Sequence, residues 1–151
     1  QDSVSGRGLV VEALDTLRLP LVNRFYKACG SNAKAGRGEK VFVVREGGEI
    51  VAALRLSPKD QSYYFLRSMQ VAPHCQRQGI GAHLLRGLAP QLDQWPVYCF
   101  PFSHLEGFYA EAGFERYEDT AVPRFIREPW ARYRDQGRDI IIMLRAPNCG
   151  P

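Results

Sequence analysis

The sequence predicts a mixed α/β protein, with a central sheet and helices packed over it. Apolar extended runs alternate with segments of helical periodicity along most of the chain. Three of the extended runs follow one another with only turn residues between them, which is typical of an antiparallel meander. A helical pattern then precedes each of the later extended runs but the last.

The N-terminal part predicts a strand and then a helix. The strand is expected over 8–14, and Asp15 is a candidate N-cap for the helix. Apolar residues at helical spacing end at Gly30, although Pro20 makes the start of this helix ambiguous. The polar, glycine-bearing segment 31–39 is predicted as a loop, either one that faces a substrate or a plain connection.

The meander follows. Strands are predicted over 40–45 and 50–56, joined by a Gly-Gly hairpin turn. A second turn is expected at 57–60, and a long strand rich in Tyr, Phe and Leu over 62–71.

A helix is predicted from about Gly79 to Leu92, because its apolar residues lie on one face, although Pro90 conflicts with it. A short buried strand is expected at 96–100. Ser103 and Glu106 have the spacing of a capping box, which predicts the start of the next helix.

The C-terminal part begins where Gly113 closes that helix. A strand is expected over 114–117, and a basic, aromatic insertion with two prolines over 119–138. A strongly apolar final strand is predicted over 139–144.

Length and charge restrict the class of protein. We expect one domain over 1–151, with a core of about 9–145 and tails at 1–8 and 146–151. The net charge of +4 suits an anionic ligand but does not demonstrate nucleic-acid binding. No run approaches the roughly 20 apolar residues of a membrane span, and we expect no membrane association.

The cysteines indicate where the protein works. None of the four is in a C-x-x-C pair, so the spacing predicts no zinc site, and we expect no metal. They sit in different contexts, which argues against a disulfide framework and favours a reducing, cytoplasmic location. They are Cys29, Cys75, Cys99 and Cys149.

The stretch from Val71 to Leu85 carries the first functional signal. Pro73 stops the preceding apolar run, a basic and glycine-bearing turn follows, and a helix begins. The first N–H groups of a helix lack intrahelical partners, which predicts a phosphate or pyrophosphate site. The alternative is an ordinary strand-to-helix connection. The turn lacks the Gly-Lys-Ser/Thr ending of a P-loop, and Leu84 stands where a dinucleotide fold needs its third glycine.

Three segments together resemble the GNAT superfamily of acyl-CoA-dependent N-acetyltransferases. The run 76–81 (Gln-Arg-Gln-Gly-Ile-Gly) matches its Q/R-x-x-G-x-G/A signature. The run 66–73 resembles the fourth strand that feeds this loop, and 108–114 matches an F-Y-x-x-x-G-F pattern later in the fold. The order of elements from Leu9 to about Leu144 also matches.

The resemblance implies a fold and an activity. The fold is the GNAT-like acyl-CoA N-acyltransferase fold, a mostly antiparallel sheet flanked by helices, in which the fourth strand splays from the fifth. The activity is transfer of an acetyl group from acetyl-CoA to a primary amine of a small molecule or peptide, by direct attack in a ternary complex.

The resemblance also implies residue roles. Backbone amides of 76–81 hold the pyrophosphate, with Arg77 as an extra charge, and the Val71 N–H is the oxyanion donor. Tyr109 is the general acid; the alternative is that Tyr109 is a core aromatic. The residues expected to bind the acyl donor are Met69, Gln70, Val71, Gln76, Arg77, Gln78, Gly79, Ile80, Gly81 and Ala82.

The general base is where the chain departs from the family pattern. Relatives often place a carboxylate near the positions of Arg67 and Ser68, neither of which can accept the proton. His74 could relay a proton or be merely solvated, and His83 and His104 are expected to be structural. Ordered water, or an amine that arrives neutral, would replace the base.

The acceptor side is the least determined by sequence. Arg67, Tyr64 and Trp130 are the candidate substrate contacts. Arg67 would suit a carboxylate or phosphate on the acceptor, or else be a cation paired at the sheet surface. The segment 124–134, with Trp130 and Tyr133, would cover a substrate, form a homodimer contact, or be a solvated basic helix.

Two other classes of function are weighed against the enzyme. The missing carboxylate motivates a catalytically weak acyl-CoA-binding or protein-interaction module on the same fold. A nucleic-acid binder rests only on the net charge and on 124–134, and it predicts affinity that falls steeply with salt.

Overall fold

A seven-stranded sheet forms the centre of the molecule. The computed structural model of the protein describes residues 8–147; Cys149 and most of the predicted tails lie outside them. The strand order is β1-β2-β3-β4-β5-β7-β6, and every pairing is antiparallel except β4–β5. The strands are β1 (Leu9–Leu14), β2 (Lys40–Glu46), β3 (Glu49–Lys59), β4 (Tyr63–Val71), β5 (Val97–Cys99), β6 (Glu115–Tyr117) and β7 (Ile142–Arg145).

Five α-helices accompany the sheet within the described residues. They are α1 (Leu19–Ala28), α2 (Ile80–Gly87), α3 (Ala89–Leu92), α4 (Glu106–Ala110) and α5 (Arg124–Asp135). The mixed α/β, mostly antiparallel fold is therefore confirmed. Among the described residues, no helix is long and apolar enough to cross a bilayer.

The prolines decide two element boundaries. Pro20 lies in the first turn of α1, where a missing N–H is harmless. The single helix predicted over 79–92 is wrong, because Pro90 cannot continue α2 and instead lies in the first turn of the short α3.

The turn predicted at 57–60 is also wrong. β3 continues to Lys59, and Pro58 pairs with Tyr64. The Tyr64 N–H donates to the Pro96 carbonyl, on the side of β4 away from β3, so Pro58 and Tyr64 form a non-hydrogen-bonded pair. In such a pair the nitrogen of Pro58 points away from β4. On that side β2 begins only at Lys40, opposite Leu56, and does not reach Pro58, so the missing N–H of Pro58 costs no ladder bond.

β4 has an irregularity that shapes the site. Its register with β3 shifts by one residue between the Ala53–Gln70 and Arg55–Arg67 pairs, and Ser68 has a φ of 60°. This is a β-bulge. β5 pairs with β4 only at Tyr64–Val97 and Phe65–Tyr98, so beyond the bulge the two strands are no longer paired.

Apolar layers cover both faces of the sheet. In β2, Val41 and Val43 face a cluster with α1, whereas Phe42 and Val44 face the larger core with α2. This alternation is the two-residue period of a strand buried on both sides. The larger core also anchors α4 through Tyr109.

The C-terminal region differs locally from expectation. The capping box at Ser103 is wrong, because its hydroxyl donates to Asp139 at 2.6 Å and Phe102 occupies the cap position. The insertion 119–138 contains the helix α5. The last strand begins at Ile142, later than predicted, and Ile140 makes only an isolated bridge to Phe102.

Candidate active site

A cleft of about 510 Å³ opens at the edge of β4 beyond the bulge. It lies between β4, the turn that follows it, α2 and α4. We call it the donor cleft. Its lining residues are Met69, Gln70, Val71, Cys75, Gln76, Arg77, Gly79, Ile80, Gly81, Ala82, Leu105, Phe108 and Tyr109. Of the ten residues expected to bind the acyl donor, only Gln78 does not line it; its amide donates to the His74 carbonyl at 3.2 Å.

The turn before α2 and the first turn of α2 line this cleft. Gly79 has a φ of 81°, a left-handed conformation that favours glycine, and it precedes α2 with no side-chain cap. The first helical bond runs from the His83 N–H to the Gly79 carbonyl, so the N–H groups of residues 80–82 have no intrahelical acceptor. Together with the helix dipole, these N–H groups suit an anion.

Gly81 is needed for close packing rather than for a special backbone conformation. Its φ is ordinary, but a Cβ there would lie 3.2 Å from the ring of Phe108 and 3.6 Å from Val71. The second glycine of the signature therefore allows α2 to pack closely against α4.

The backbone of Val71 points into the gap between β4 and β5. The next residue, Ala72, donates its N–H to Val51 of β3 at 2.8 Å. Because main-chain groups alternate in direction along a strand, the Val71 N–H and carbonyl point away from β3. The Val71 carbonyl accepts from the side chain of Gln76 at 3.2 Å, which ties the strand to the turn.

Tyr109 lies where the donor cleft meets a second cleft. Its side chain is 5% exposed, and its ring makes edge contacts with Phe108 and Phe114. Burial, and to a lesser degree the neighbouring Cys99 thiol, raise the pKa of its phenol well above the usual value. The hydroxyl therefore stays protonated over the whole neutral and mildly alkaline range.

The second cleft lies on the other side of Tyr109. A pocket of about 210 Å³ shares Met69, Leu105 and Tyr109 with the donor cleft and also contains Arg67. Two adjoining pockets, of about 300 and 260 Å³, are also lined by Arg67. We call these three pockets together the arginine cleft. Its charged and aromatic lining is Arg55, Lys59, Tyr63, Phe65, Arg67, Phe100, Phe102, Tyr109, Phe125, Arg132, Tyr133 and Arg138.

A buried polar network, not anticipated from sequence, holds the bulge between the two clefts. Arg55 donates to Ser68 Oγ at 2.8 Å and to Glu39 Oε1 at 2.8 Å, and the Tyr26 hydroxyl donates to the Ser68 carbonyl at 2.8 Å. The hydroxyl of Ser57 donates to Glu39 Oε2 at 2.6 Å. An arginine inside the apolar strand β3 was the one sequence signal for this network.

The charge state of Glu39 follows from these contacts. Burial acts to raise the pKa of its carboxyl, but hydrogen bonds from Ser57 and the Gly36 N–H, with the charge of Arg55, lower it below its ordinary value. Glu39 is thus an ionised partner of Arg55. Neither the donor cleft nor the arginine cleft has an aspartate or glutamate among the described residues that line it.

Two predicted substrate contacts lie elsewhere. Tyr64 is 2% exposed in the core and packs on Trp95 with ring centroids 4.7 Å apart. Trp130 lines a separate cleft, and its indole N–H donates to the Ile140 carbonyl at 3.2 Å. Neither is placed for the predicted role, whereas Arg67 and Tyr133 lie in the arginine cleft.

The sheet that opens between β4 and β5, beside an uncapped helix N-terminus, has the architecture of the acyl-CoA N-acyltransferases. A family model described as the acetyltransferase (GNAT) domain matches residues 37–116. The chain therefore belongs to the GNAT family, and the resemblance of the motifs is confirmed. A comparison with curated proteins gives no match.

Solved structures give the same fold. The ribosomal-protein-S18-alanine N-acetyltransferase from Escherichia coli is 18% identical, with a TM-score of 0.69 over 95% of this chain and 96% of that one. A GNAT family acetyltransferase from Elizabethkingia anophelis, solved with acetyl-CoA bound, is 14% identical, with a TM-score of 0.60 over 91% and 97%.

N-acetylglutamate synthase from Neisseria gonorrhoeae, complexed with coenzyme A and N-acetyl-glutamate, is 16% identical with a TM-score of 0.66. The match covers 92% of this chain but 35% of that one, so this chain corresponds to about a third of that protein's length.

Proposed function

We propose that the protein is an N-acetyltransferase that moves an acetyl group from acetyl-CoA to a primary amine by direct attack in a ternary complex. Family membership supports the reaction class. The observation that carries the proposal is the single junction at Tyr109, where a cleft with an anion-binding helix N-terminus meets a second cleft that could admit an amine.

The donor cleft fits the acyl donor by its chemistry. Free main-chain N–H groups at one end suit a pyrophosphate, and the unpaired edge of β4 suits an extended amide-bearing arm such as pantetheine. No described lining residue carries a negative charge that would repel the phosphates. Acetyl-CoA, when bound, supplies the activated acetyl group.

Two groups act on the reacting atoms in this proposal. The Val71 N–H stabilises the negative charge that develops on the acetyl oxygen. The Tyr109 hydroxyl gives its proton to the leaving sulfur. The sulfur is desolvated in the same cleft, so the pKa of the thiol is raised along with that of the buried phenol, and the transfer does not need an acidic tyrosine. Holding donor and acceptor on either side of Tyr109 supplies the proximity.

The acceptor must be neutral to attack. Because the described lining carries cations and no carboxylate, an ammonium in the arginine cleft has its pKa lowered. This favours the free amine without a protein base. As the C–N bond forms and the C–S bond breaks, the proton that the nitrogen loses returns through water to Tyr109, so the enzyme ends the cycle unchanged.

Tyr109→Phe tests the proposal. The substitution keeps the ring contacts with Phe108 and Phe114 and removes only the hydroxyl. We expect kcat to fall by about 10²- to 10⁴-fold with acetyl-CoA affinity unchanged, since only a proton donor is lost. Measuring kcat by thiol release on an amine panel, and acetyl-CoA affinity by calorimetry, separates the two effects.

Tyr117→Phe, in β6 and outside both clefts, is the matched control and should change neither quantity. The missing carboxylate keeps one alternative, a catalytically weak acyl-CoA-binding module. That alternative predicts acetyl-CoA binding, with no turnover in the unmodified protein for Tyr109→Phe to abolish.

A further inference from the structure

Arg55 and Arg67 lie opposite each other on β3 and β4, but their partners differ. Arg55 is held by Glu39, by the Lys34 carbonyl and by Ser68. The side chain of Arg67 makes no hydrogen bond or ion pair within residues 8–147, and its guanidinium lies over the ring of Phe65, 5.2 Å from the centroid. The Nε atoms of both arginines are buried without an acceptor, but the terminal nitrogens of Arg55 have partners and those of Arg67 have none among the described residues.

A buried guanidinium nitrogen without an acceptor is costly, because it has lost water and gained nothing. Arg67 also lines all three pockets of the arginine cleft, including the one that reaches Tyr109. Its free fork is therefore available to a ligand in the cleft. The partner that matches this geometry is a carboxylate or a phosphate.

The other charges of the cleft point the same way. Lys59, Arg132 and Arg138 also line it, and none forms an ion pair within the part of the chain that the structure describes. Since no described carboxylate lines the cleft, the electrostatic potential inside it is positive and favours an anionic ligand.

Aromatic rings form the walls between these cations. Phe65 and Phe100 meet edge to face at 4.8 Å, and Phe100 meets Tyr133 at 6.3 Å. The guanidinium of Arg138 lies over the ring of Tyr133, 4.7 Å from its centroid. Such a wall suits a planar or apolar group of a ligand beside the anion.

We propose that the acceptor is a small amine that also carries an anionic group, bound by Arg67, and an aromatic or apolar portion, bound against Phe65, Phe100 and Tyr133. This rests on the proposed function and specifies its substrate class. Because Arg67 and Tyr109 line one pocket of about 210 Å³, the anion and the reacting amine belong to one small molecule.

Matched amines test the anion. Phenylalanine is compared with phenethylamine and phenylalaninamide, and phosphoethanolamine with ethanolamine, all with acetyl-CoA. We expect the anionic member of at least one pair to have a kcat/KM about 10- to 100-fold higher, the size of a charge-assisted hydrogen bond. The phenylalanine set tests a carboxylate and the phosphoethanolamine pair tests a phosphate. Comparing kcat/KM for glycine and phenylalanine measures the aromatic contribution.

Arg67 variants assign the effect. Arg67→Met should raise KM for the preferred anionic amine by about 10- to 100-fold and leave its neutral counterpart nearly unchanged, because Met keeps bulk and removes charge. Arg67→Lys should give an intermediate KM for the anionic amine, since lysine keeps the charge but lacks the two-pronged geometry of the guanidinium. Arg116→Met, an exposed arginine outside the arginine cleft, is the control and should change neither amine.

Equal use of both members of every pair, or an equal KM change for both in Arg67→Met, would overturn the inference while the proposed function stands. If the unmodified protein does not bind acetyl-CoA, the proposed function itself is wrong. If acetyl-CoA binds without turnover, calorimetry of the same amines with CoA-saturated protein decides. Tighter binding of an anionic member, lost in Arg67→Met, supports the inference; its absence overturns it.

Discussion

The donor cleft and the arginine cleft lie on either side of Tyr109, and they use different parts of the chain. The donor cleft offers main-chain N–H groups from one short stretch, 71–82. The arginine cleft offers side chains from β3, β4, α5 and the segments after β5 and α5.

This difference separates two kinds of recognition. Main-chain groups bind a chemical class, such as a pyrophosphate, and they do so with most side-chain sequences. Charged and aromatic side chains select one substrate from many. We therefore expect substitutions in the donor cleft to act through backbone shape, and substitutions in the arginine cleft to act through charge.

The pH dependence of the rate gives the largest expected effect. With no carboxylate among the described residues of either cleft, log kcat/KM should rise by about one per pH unit until the acceptor amine is neutral, about 100-fold over two units. No alkaline fall is expected up to about pH 10, because burial raises the pKa of the Tyr109 phenol above its usual value. Thiol release measured from pH 6 to 10 tests both the rise of kcat/KM and the absence of an alkaline fall.

Two amines of different pKa serve as the control for this profile. The inflection should move with the amine. An inflection that stays in place for both would show that a group on the protein is the base, and that the arginine cleft does more than bind.

The network at the bulge, which separates the clefts, gives the next effect. Glu39→Gln leaves the buried Arg55 without its counter-charge, and we expect the free energy of unfolding to fall by about 3 kcal/mol. Urea denaturation measures it. Glu106→Gln, which breaks the exposed pair with Arg116, is the control and should cost under about 1 kcal/mol.

Acid makes the same test without a substitution. Since the pKa of Glu39 is lower in the folded protein, its contribution is present above the ordinary carboxyl pKa and is lost as the pH falls through the lowered value. The unmodified protein should thus lose more stability below about pH 4 than Glu39→Gln does. Parallel losses in both would contradict this account.

Gly79 gives the smallest effect and tests the donor side. Gly79→Ala places a Cβ on a left-handed residue, at a cost of about 1–2 kcal/mol, and displaces the N–H groups in the first turn of α2. We expect acetyl-CoA affinity to fall about tenfold. Gly137, with a φ of 91° and no atom within 4 Å of the position that a Cβ would take, is the matched control.

Gly137→Ala should lose similar stability without any change in acetyl-CoA affinity. Calorimetry and urea denaturation of both variants make the comparison. An equal affinity for the two would mean that the turn does not hold the donor through its backbone.

Where expectation and structure differ, a contact distant in sequence is the reason. The Ser103 hydroxyl would cap a helix in isolation, but Asp139 competes for it from 36 residues away. Trp130 was expected at the acceptor, but the Ile140 carbonyl takes its N–H. A turn was predicted at 57–60, but β3 continues through Pro58, because β2 begins only at Lys40, opposite Leu56, and the missing N–H of Pro58 has no strand to pair with.

The sequence by itself predicted the fold class and the family, and it pointed to the stretch around Gly79 that lines the donor cleft. The fold class follows from periodicity, and the family follows from short motifs whose residues are neighbours along the chain, so a linear pattern records both. Only the tertiary structure decided that Arg67 lacks a partner while Arg55 has Glu39, and that Arg138 and Tyr133 join them. Which side chains meet depends on how β3, β4 and α5 pack, because charge pairing is a property of distance in space.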